Sequence, residues 1–326
     1  MRIGYICSRK KKPEMFVPFA KHAETKGIEV VDLIEQGLDK ADSVDILFMK
    51  ITDEMNSVEG KHLVSQVQEY IAKNPNTLVV EKIENVERLT SRVDMYSFLG
   101  QKLQNSTSVG VPGITIVNQA STVEQLESDL KRDGVEFPVV VKTTAACGAL
   151  ETHEMAIVFN VPNLFDVLTD KSKFKIPLPV VVQQYINHDA TLYKVYVIGN
   201  DTFVQARESI RNFRLEETET ITFNSQAKLP DTLITQKNSD LHDSVTFKTI
   251  TPLLSLEKEK REMFDNASKL ICDSLDIYLL GYDLVTDSKT GKSFVVDVNY
   301  LPGFKGVDNL PEKLLAHMLE RYEKRK

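Results

Sequence analysis

Short apolar runs alternate with stretches of helical spacing over the first hundred residues. Arg2 to Cys7 reads as a buried strand, and Pro13 to Lys26 as a helix. Val30 to Leu33 and Asp45 to Met49 are further short strands. Gly60 to Lys73 carries Leu63, Val64, Val67 and Ile71 on one side, at helical spacing. Thr77 to Val80 is again a strand, and Glu84 to Lys102 is polar and helical, with Met95, Tyr96 and Leu99 as its apolar set. The alternation predicts a small parallel α/β unit over residues 1–105.

A second unit is expected over 106–188. Gly113 to Val117 is a strand, and Thr122 to Lys131 is a helix with Ser121 as its cap. Phe137 to Thr143 is a run of β-formers that ends on Lys142 and Thr143. Residues 144–153 are small and polar and read as a flexible loop. Met155 to Phe159 is a strand, Leu164 to Thr169 a short helix, and Val180 to Ile186 a strong strand. The third unit, 189–326, opens with a hairpin of Thr191–Asn200 and Thr202–Arg207, turning at Gly199-Asn200-Asp201. Residues 211–250 give no clear pattern. Lys258 to Leu275 is a helix, and Pro311 to Lys324 closes the chain as another.

The strand Phe294–Val298 is apolar but carries Asp297, and Asn299 follows two residues later on the same face. Buried polar groups without partners are costly, so such a strand needs a reason. Upstream, the apolar run Ile277–Asp287 holds Asp283, and the link Asp287–Lys292 has turn composition. A hairpin centred near Thr290 brings Asp283 opposite Asp297. Two carboxylates and an amide oxygen then converge, a hard-oxygen set suited to Mg²⁺ carrying nucleotide phosphates.

At 326 residues the chain predicts two or three domains. Its 42% hydrophobic and 27% charged residues are ordinary for a globular protein. No apolar run reaches the roughly 18 residues of a membrane span, and the basic residues after the first strand are in the wrong order for a secretory signal. Cys7, Cys147 and Cys272 form neither metal spacing nor a disulfide framework, which points to a reducing cytosol. A net charge of −7 excludes general nucleic-acid binding. Any polyanion must therefore meet a local basic pocket.

Candidates for that pocket are dispersed. Lys142 ends a strand and precedes the small-residue loop that closes at His153, an order several nucleotide enzymes use to cover phosphates. There is no Walker A sequence and no G-x-G-x-x-G, so separate lysines and a metal would hold the nucleotide. Lys194 and Arg207 lie on the two strands of the third unit's first hairpin. The run Arg9–Lys12 follows the first strand, and Lys50 ends another, where ligand crevices open in α/β sheets. Arg92 starts a helix and could reach a phosphate or cap a surface. Taken singly, each residue is more often an ordinary solvated side chain.

Together the pieces resemble the ATP-grasp plan: an N-terminal α/β domain, a strand-end lysine with a flexible loop, the hinge strand V-V-x-Q-x-x-I, and a late D…D-x-N hairpin. More narrowly, His153-EMAIVFN, Val182-QQYINHDATLYKVYVIG-Asn200, Arg207-ESIRNF and Val296-DVNYLPGFKG-Val307 are similar to the inositol 1,3,4-trisphosphate 5/6-kinases, also called inositol-tetrakisphosphate 1-kinases. The resemblance covers nearly the whole chain, weakly over 100–135 and 226–256. It implies that Arg92 and Lys142 bind ATP phosphates, that Gln183, Gln184 and Tyr185 form the adenine hinge, and that Ser209 and Ser225 touch the nucleotide. Asp283, Asp297 and Asn299 would hold Mg²⁺. Lys10, Lys50, His153, Lys194, Arg207, Asn299 and Gly303 would line an inositol polyphosphate pocket, with Lys194, His153 and Arg207 at the transfer step. The loop after Lys142 departs from the family pattern: it reads AACGALETH, one residue longer, with Cys147 where a histidine is common.

The expectation is therefore a monomeric cytoplasmic kinase that moves the γ-phosphoryl of ATP to an inositol tris- or tetrakisphosphate. It would bind no nucleic acid and no membrane. Two other readings remain. A carboxylate–amine ligase would share Lys142 and the metal hairpin but would not need basic residues from three segments. A non-catalytic inositol phosphate sensor would keep the pocket but could lose the metal set. The acceptor isomer and the hydroxyl attacked are not written in the sequence.

Overall fold

The computed structural model describes residues 1–7, 12–119, 122–147, 153–169, 176–214, 216–225, 227–234 and 249–325. Its first sheet is parallel, with order β2-β1-β3-β4, from β1 (Arg2–Cys7), β2 (Glu29–Asp32), β3 (Ile46–Lys50) and β4 (Leu78–Val79). Both faces are covered, which explains the unbroken apolar runs. Ile3, Tyr5 and Cys7 pack on one side, and Ile6 with Leu47 and Met49 on the other.

The second sheet has five strands in the order β12-β8-β7-β9-β6. These are β6 (Ile114–Val117), β7 (Val139–Thr143), β8 (Glu154–Val158), β9 (Val180–Gln184) and β12 (Ile221–Asn224). The third has six, in the order β13-β11-β10-β14-β15-β5. They are β5 (Val109–Gly110), β10 (Thr191–Ile198), β11 (Asp201–Glu208), β13 (Thr251–Pro252), β14 (Leu279–Thr286) and β15 (Ser293–Tyr300). One core joins the first and third sheets, uniting Phe16, Phe19 and Phe48 with Tyr196, Tyr282 and Phe304. The helix Lys258–Leu275 seals the third sheet with Phe264, Ala267, Ile271, Cys272 and Leu275, at the spacing that predicts it.

Three expectations change. The single helix over 84–102 is two, Ile83–Glu87 and Arg92–Leu103. Ser91 interrupts it in an extended conformation and caps the second helix by accepting from Asp94 N. Ser121 lies outside the described residues, and Thr122 is the cap, accepting from Gln125 N. Within the featureless 211–250 stretch, β12 pairs antiparallel with β8.

The C-terminal helix Leu310–Arg325 brings His317 into this core and sets Arg321 against the buried Glu81, which follows β4. Glu81 accepts from Arg321 and from Tyr278 N, yet burial, outweighing that guanidinium, pushes its pKa up to about 7. His317 is buried with its Nε2 unpartnered among the described residues, and a Cβ at Gly199 (φ +61°) would fall 2.5 Å from its ring. Burial and then Arg321 lower its pKa to about 4. The depressed histidine contributes stability that is complete above its unfolded value of 6.5 and lost as pH falls toward about 4. Glu81 has the opposite sign: its contribution favours acid and fades as pH rises from 4.5 through about 7. The two contributions therefore oppose each other in the wild-type protein. His317→Gln should make stability between pH 7 and pH 4.5 less acid-sensitive by on the order of 2 kcal/mol. Urea unfolding at both pH values measures it, and an unchanged difference would remove His317 as the acid-sensitive group.

Candidate active site

Pairing registers carry a row of polar side chains across the third sheet. Lys194 lies opposite Gln205 of β11 and Asp283 of β14, and Asp283 lies opposite Asp297 of β15. Cross-strand partners share a face, so all four project together. Lys194 Nζ donates to Asp283 Oδ1 at 2.7 Å, and Asn299 Nδ2 donates to Asp297 Oδ2 at 2.7 Å. The side chains of Lys194 and Asp283 are each only 19% exposed. Burial raises the Asp283 pKa against the pull of Lys194, and Asp297 adds to the rise. Burial would lower Lys194, but its ion pair with Asp283 outweighs that and holds it above the ordinary value. One ammonium thus stands against two carboxylates.

The register of this hairpin shifts between Asp283 and Leu284, which pair with Asp297 and Val295 and leave Val296 as the extra residue. The Val296 carbonyl accepts from Tyr96 Oη and, at 3.5 Å, from Lys142 Nζ. Lys142 donates chiefly to Gln183 Oε1 at 2.7 Å, and the Tyr96 hydroxyl also lies 2.8 Å from that oxygen, its single proton shared between Gln183 Oε1 and the Val296 carbonyl. A lysine only donates, which fixes Oε1 of the amide toward it. Burial, then Arg92, lowers the Lys142 pKa to about 8. Gln183 is thus the acceptor for Lys142, and its side chain is buried away from the hinge surface.

Around this centre the other expected residues take up definite partners. Arg92 is buried and donates to the carbonyls of Thr143 and Ala145, anchoring the segment after Lys142. The same segment is held from the first domain by Asn56, which donates to Cys147 O at 3.1 Å, and by Thr90 O, which accepts from Ala146 N. Burial pushes the Cys147 thiol up to about 11, so it is not a reactive thiolate. Lys50 donates to the Tyr300 carbonyl, beside Asn299, and lies 5.3 Å from the Tyr300 ring centre. His153 shares a backbone bond with Ser225, 2.9 Å from Ser225 N to His153 O. Burial and Arg92 lower the His153 pKa, so the imidazole is neutral at pH 7 rather than charged. Arg207 is exposed, its Nε donating to Gln205 at 2.7 Å. Gly303 is open, with no described residue within 4 Å of where a Cβ would lie. Lys10 lies outside the described residues. Its neighbour Lys12 is committed to an ion pair with Asp32 at 2.7 Å.

The hinge is tied to the segment after β11. Tyr185 Oη sits 3.0 and 2.8 Å from the carbonyls of Ile210 and Arg211. Asn187 clasps the Phe213 backbone through both ends of its amide. Gln184 N donates to Gly113 O, so this hinge amide belongs to the sheet. His188 bridges the Ile186 carbonyl and Ser209 Oγ. Tyr96, Asn187 and His188 were not singled out by sequence reasoning. For Tyr96 the only signal is an apolar helix position, which conceals the hydroxyl.

Sequence profiles match at two places: the inositol 1,3,4-trisphosphate 5/6-kinase pre-ATP-grasp domain over residues 2–86, and the ATP-grasp domain of the same family over residues 103–320. The chain belongs to the inositol 1,3,4-trisphosphate 5/6-kinase family. An inositol-tetrakisphosphate 1-kinase of Danio rerio is 30% identical over 97% of this chain and 78% of its own length. Its Xenopus laevis counterpart is 29% identical over the same shares, and inositol-tetrakisphosphate 1-kinase 1 of Arabidopsis thaliana is 24% identical over 93% and 89%. Solved structures add the fold. An ATP-grasp ligase of Chryseobacterium gregarium superposes with a TM-score of 0.57 at 14% identity, covering 98% of this chain and 97% of its own. D-alanine–D-alanine ligase from Bacillus anthracis gives 0.56 at 16% identity, covering 100% and 98%. The fold is ATP-grasp, and the ligases testify to the fold alone.

The Tyr96 hydroxyl joins the acceptor of Lys142 to the strand of Asp297, so its loss should be felt at the nucleotide. Tyr96→Phe removes one hydrogen bond worth about 1 kcal/mol and keeps the ring. The ATP KM should rise about fivefold with little change in the acceptor KM. Steady-state kinetics in both substrates decide this, and equal rises in both KM values would make Tyr96 a general packing residue.

Proposed function

We infer that the protein is an ATP-dependent kinase that transfers the γ-phosphoryl group of ATP to a hydroxyl of an inositol polyphosphate. Family membership over nearly the whole chain supports the reaction. The observation that carries the site is the row Lys194–Asp283–Asp297–Asn299 on one face of the sheet.

The residues present fit a Mg²⁺ ion. Asp283 and Asp297 are hard oxygen ligands forced together in a partly buried place, and Lys194 offsets only one of their charges. Asn299 commits its nitrogen to Asp297, leaving its amide oxygen as the free end. Such an ion would supply charge neutralisation at the β- and γ-phosphates. Lys142 would hold the same phosphates, with Arg92 keeping the adjoining segment in place. Gln184 and Tyr185 would supply the adenine hinge, while Gln183 works through Lys142. Ser209 and Ser225 would border the nucleotide. On the acceptor side, Lys194, Arg207, Lys50, Lys10, His153 and Gly303 would meet the inositol phosphates. His153 enters neutral and gains a proton's worth of favour from the polyanion.

Phosphoryl transfer through a loose transition state asks mainly for alignment and charge neutralisation, and no strong base is needed at the acceptor hydroxyl. A ligase would share the phosphate site, but the family match separates this chain from the ligases, whose likeness is of fold. A sensor would not need the two carboxylates held together. We also propose the division 1–105, 106–188 and 189–326, although β5 and β12 each cross into a neighbouring unit's sheet. Three free cysteines support a reducing cytoplasm, and large exposed apolar side chains that fall on separate elements support a monomer. No helix among the described residues is long and apolar enough to cross a membrane.

Asp297→Ala should lower turnover on the order of a hundred- to a thousandfold while the protein stays folded. The assay is Mg-ATP with a panel of inositol phosphates, products being separated by phosphate number. Near wild-type turnover by the folded variant would refute the metal assignment. Lys194→Ala should raise the acceptor KM on the order of tenfold or more and leave the ATP KM nearly unchanged. If the ATP KM rises equally, Lys194 belongs to the nucleotide side.

A further inference from the structure

His188 and Ser209 form a relay whose proton positions can be counted. His188 Nδ1 is 2.7 Å from the Ile186 carbonyl oxygen, which can only accept, so Nδ1 carries the proton. The ring is buried, and burial lowers its pKa, leaving it neutral near pH 7. Nε2 is then a bare acceptor, 2.9 Å from Ser209 Oγ. The one hydroxyl proton of Ser209 must go to it. The backbone holds this arrangement, since Ser209 N donates to Ala190 O at 2.8 Å. The neighbouring charge, Asp189, is engaged by Asn212 Nδ2 at 2.7 Å. The Tyr185 ring packs 5.6 Å from the imidazole, centre to centre. Ser209 is half-buried, unlike His188, so it is the end of the relay that a ligand reaches.

We propose that His188 is a positioning residue that fixes the Ser209 hydroxyl as a hydrogen-bond acceptor toward the nucleotide. Ser209 then receives an N–H or O–H of the nucleoside, the base amine or a ribose hydroxyl, and does not donate to a phosphate oxygen. The proposal rests on the placement of Ser209 in the nucleotide site. It makes this pair a selector for nucleosides with a donor at that point. A serine free of His188 could turn its proton either way and would select nothing.

The test compares wild type and Ser209→Ala with four co-substrates: ATP, purine riboside triphosphate (which lacks the 6-amino group), 2′-deoxy-ATP and 3′-deoxy-ATP. Ser209→Ala should raise the KM for ATP about fivefold. For one analogue, already weaker with wild type, it should change nothing, and that analogue identifies the donor as amine or hydroxyl. An equal rise for all four co-substrates overturns the proposal and leaves Ser209 on the phosphates. No change with any of them removes Ser209 from the nucleotide site, which overturns the underlying placement as well. Nitrogen-15 NMR of the imidazole in the unmodified protein reads the tautomer directly. Nδ1 protonated and Nε2 bare is expected, and the reverse overturns the relay. His188→Asn should lose the same discrimination in an otherwise wild-type chain and add nothing in the Ser209→Ala background. Full discrimination in folded His188→Asn would overturn the positioning role.

Discussion

Two carboxylates held opposite each other on neighbouring strands repel, and the arrangement of this protein answers that repulsion. Asp283 and Asp297 are brought together by the hairpin register, and neither strand can relax without undoing the other. Lys194, from the strand on the far side of Asp283, relieves half the charge. On the proposed reading the rest is left for a divalent ion with its nucleotide. The bulge beside the pair has a second effect. It places the Val296 carbonyl at Lys142 and Tyr96, so Lys142 of one sheet is tied to the acidic strand of another. The two sheets are thereby set in one register by main-chain geometry.

The hinge shows the same economy. Its motif and the Arg207-ESIRNF segment lie some twenty residues apart in sequence, and each is the other's hydrogen-bond partner. Tyr185, Asn187, His188 and Asp189 all bond to residues between Ser209 and Phe213. The apolar side of this junction is Tyr185 against Phe213, at 5.0 Å between ring centres. An amide such as Asn187, clasping a backbone at both ends, has no shorter substitute.

Much of this was legible in the sequence, because local patterns dictated it. The helix Lys258–Leu275 and the pairing of Asp283 with Asp297 follow from apolar spacing and a turn. What stayed hidden depends on contacts distant in the chain. Strand β12 is recognised only through β8, since the apolar–polar alternation of Ile221–Asn224 is too short to stand out from the polar stretch around it. Tyr96 reads as an apolar helix position until Gln183 and Val296 are seen around its hydroxyl. The break near Ser91 is a contest between helix propensity and a capping side chain, which composition cannot decide. Gln183 reads as a hinge residue by motif, yet strand alternation turns it inward to Lys142.

The cations of the site are already spoken for. Lys194 is paired with Asp283, Arg207 with Gln205, and Lys50 with the Tyr300 carbonyl. In a chain of net charge −7, these local pairings keep the basic residues ordered and close to where a polyanion would arrive. They also couple the two ligands. Lys194 and a divalent ion draw on the same Asp283 carboxylate, so on the proposed reading each positive charge gained by that carboxylate frees Lys194 for the acceptor. On the same reading His153, its pKa depressed by burial and Arg92, would gain charge only when a bound anion offsets them. The acceptor pocket would therefore be most cationic when the nucleotide side is filled, which aligns charge with the state in which transfer can occur.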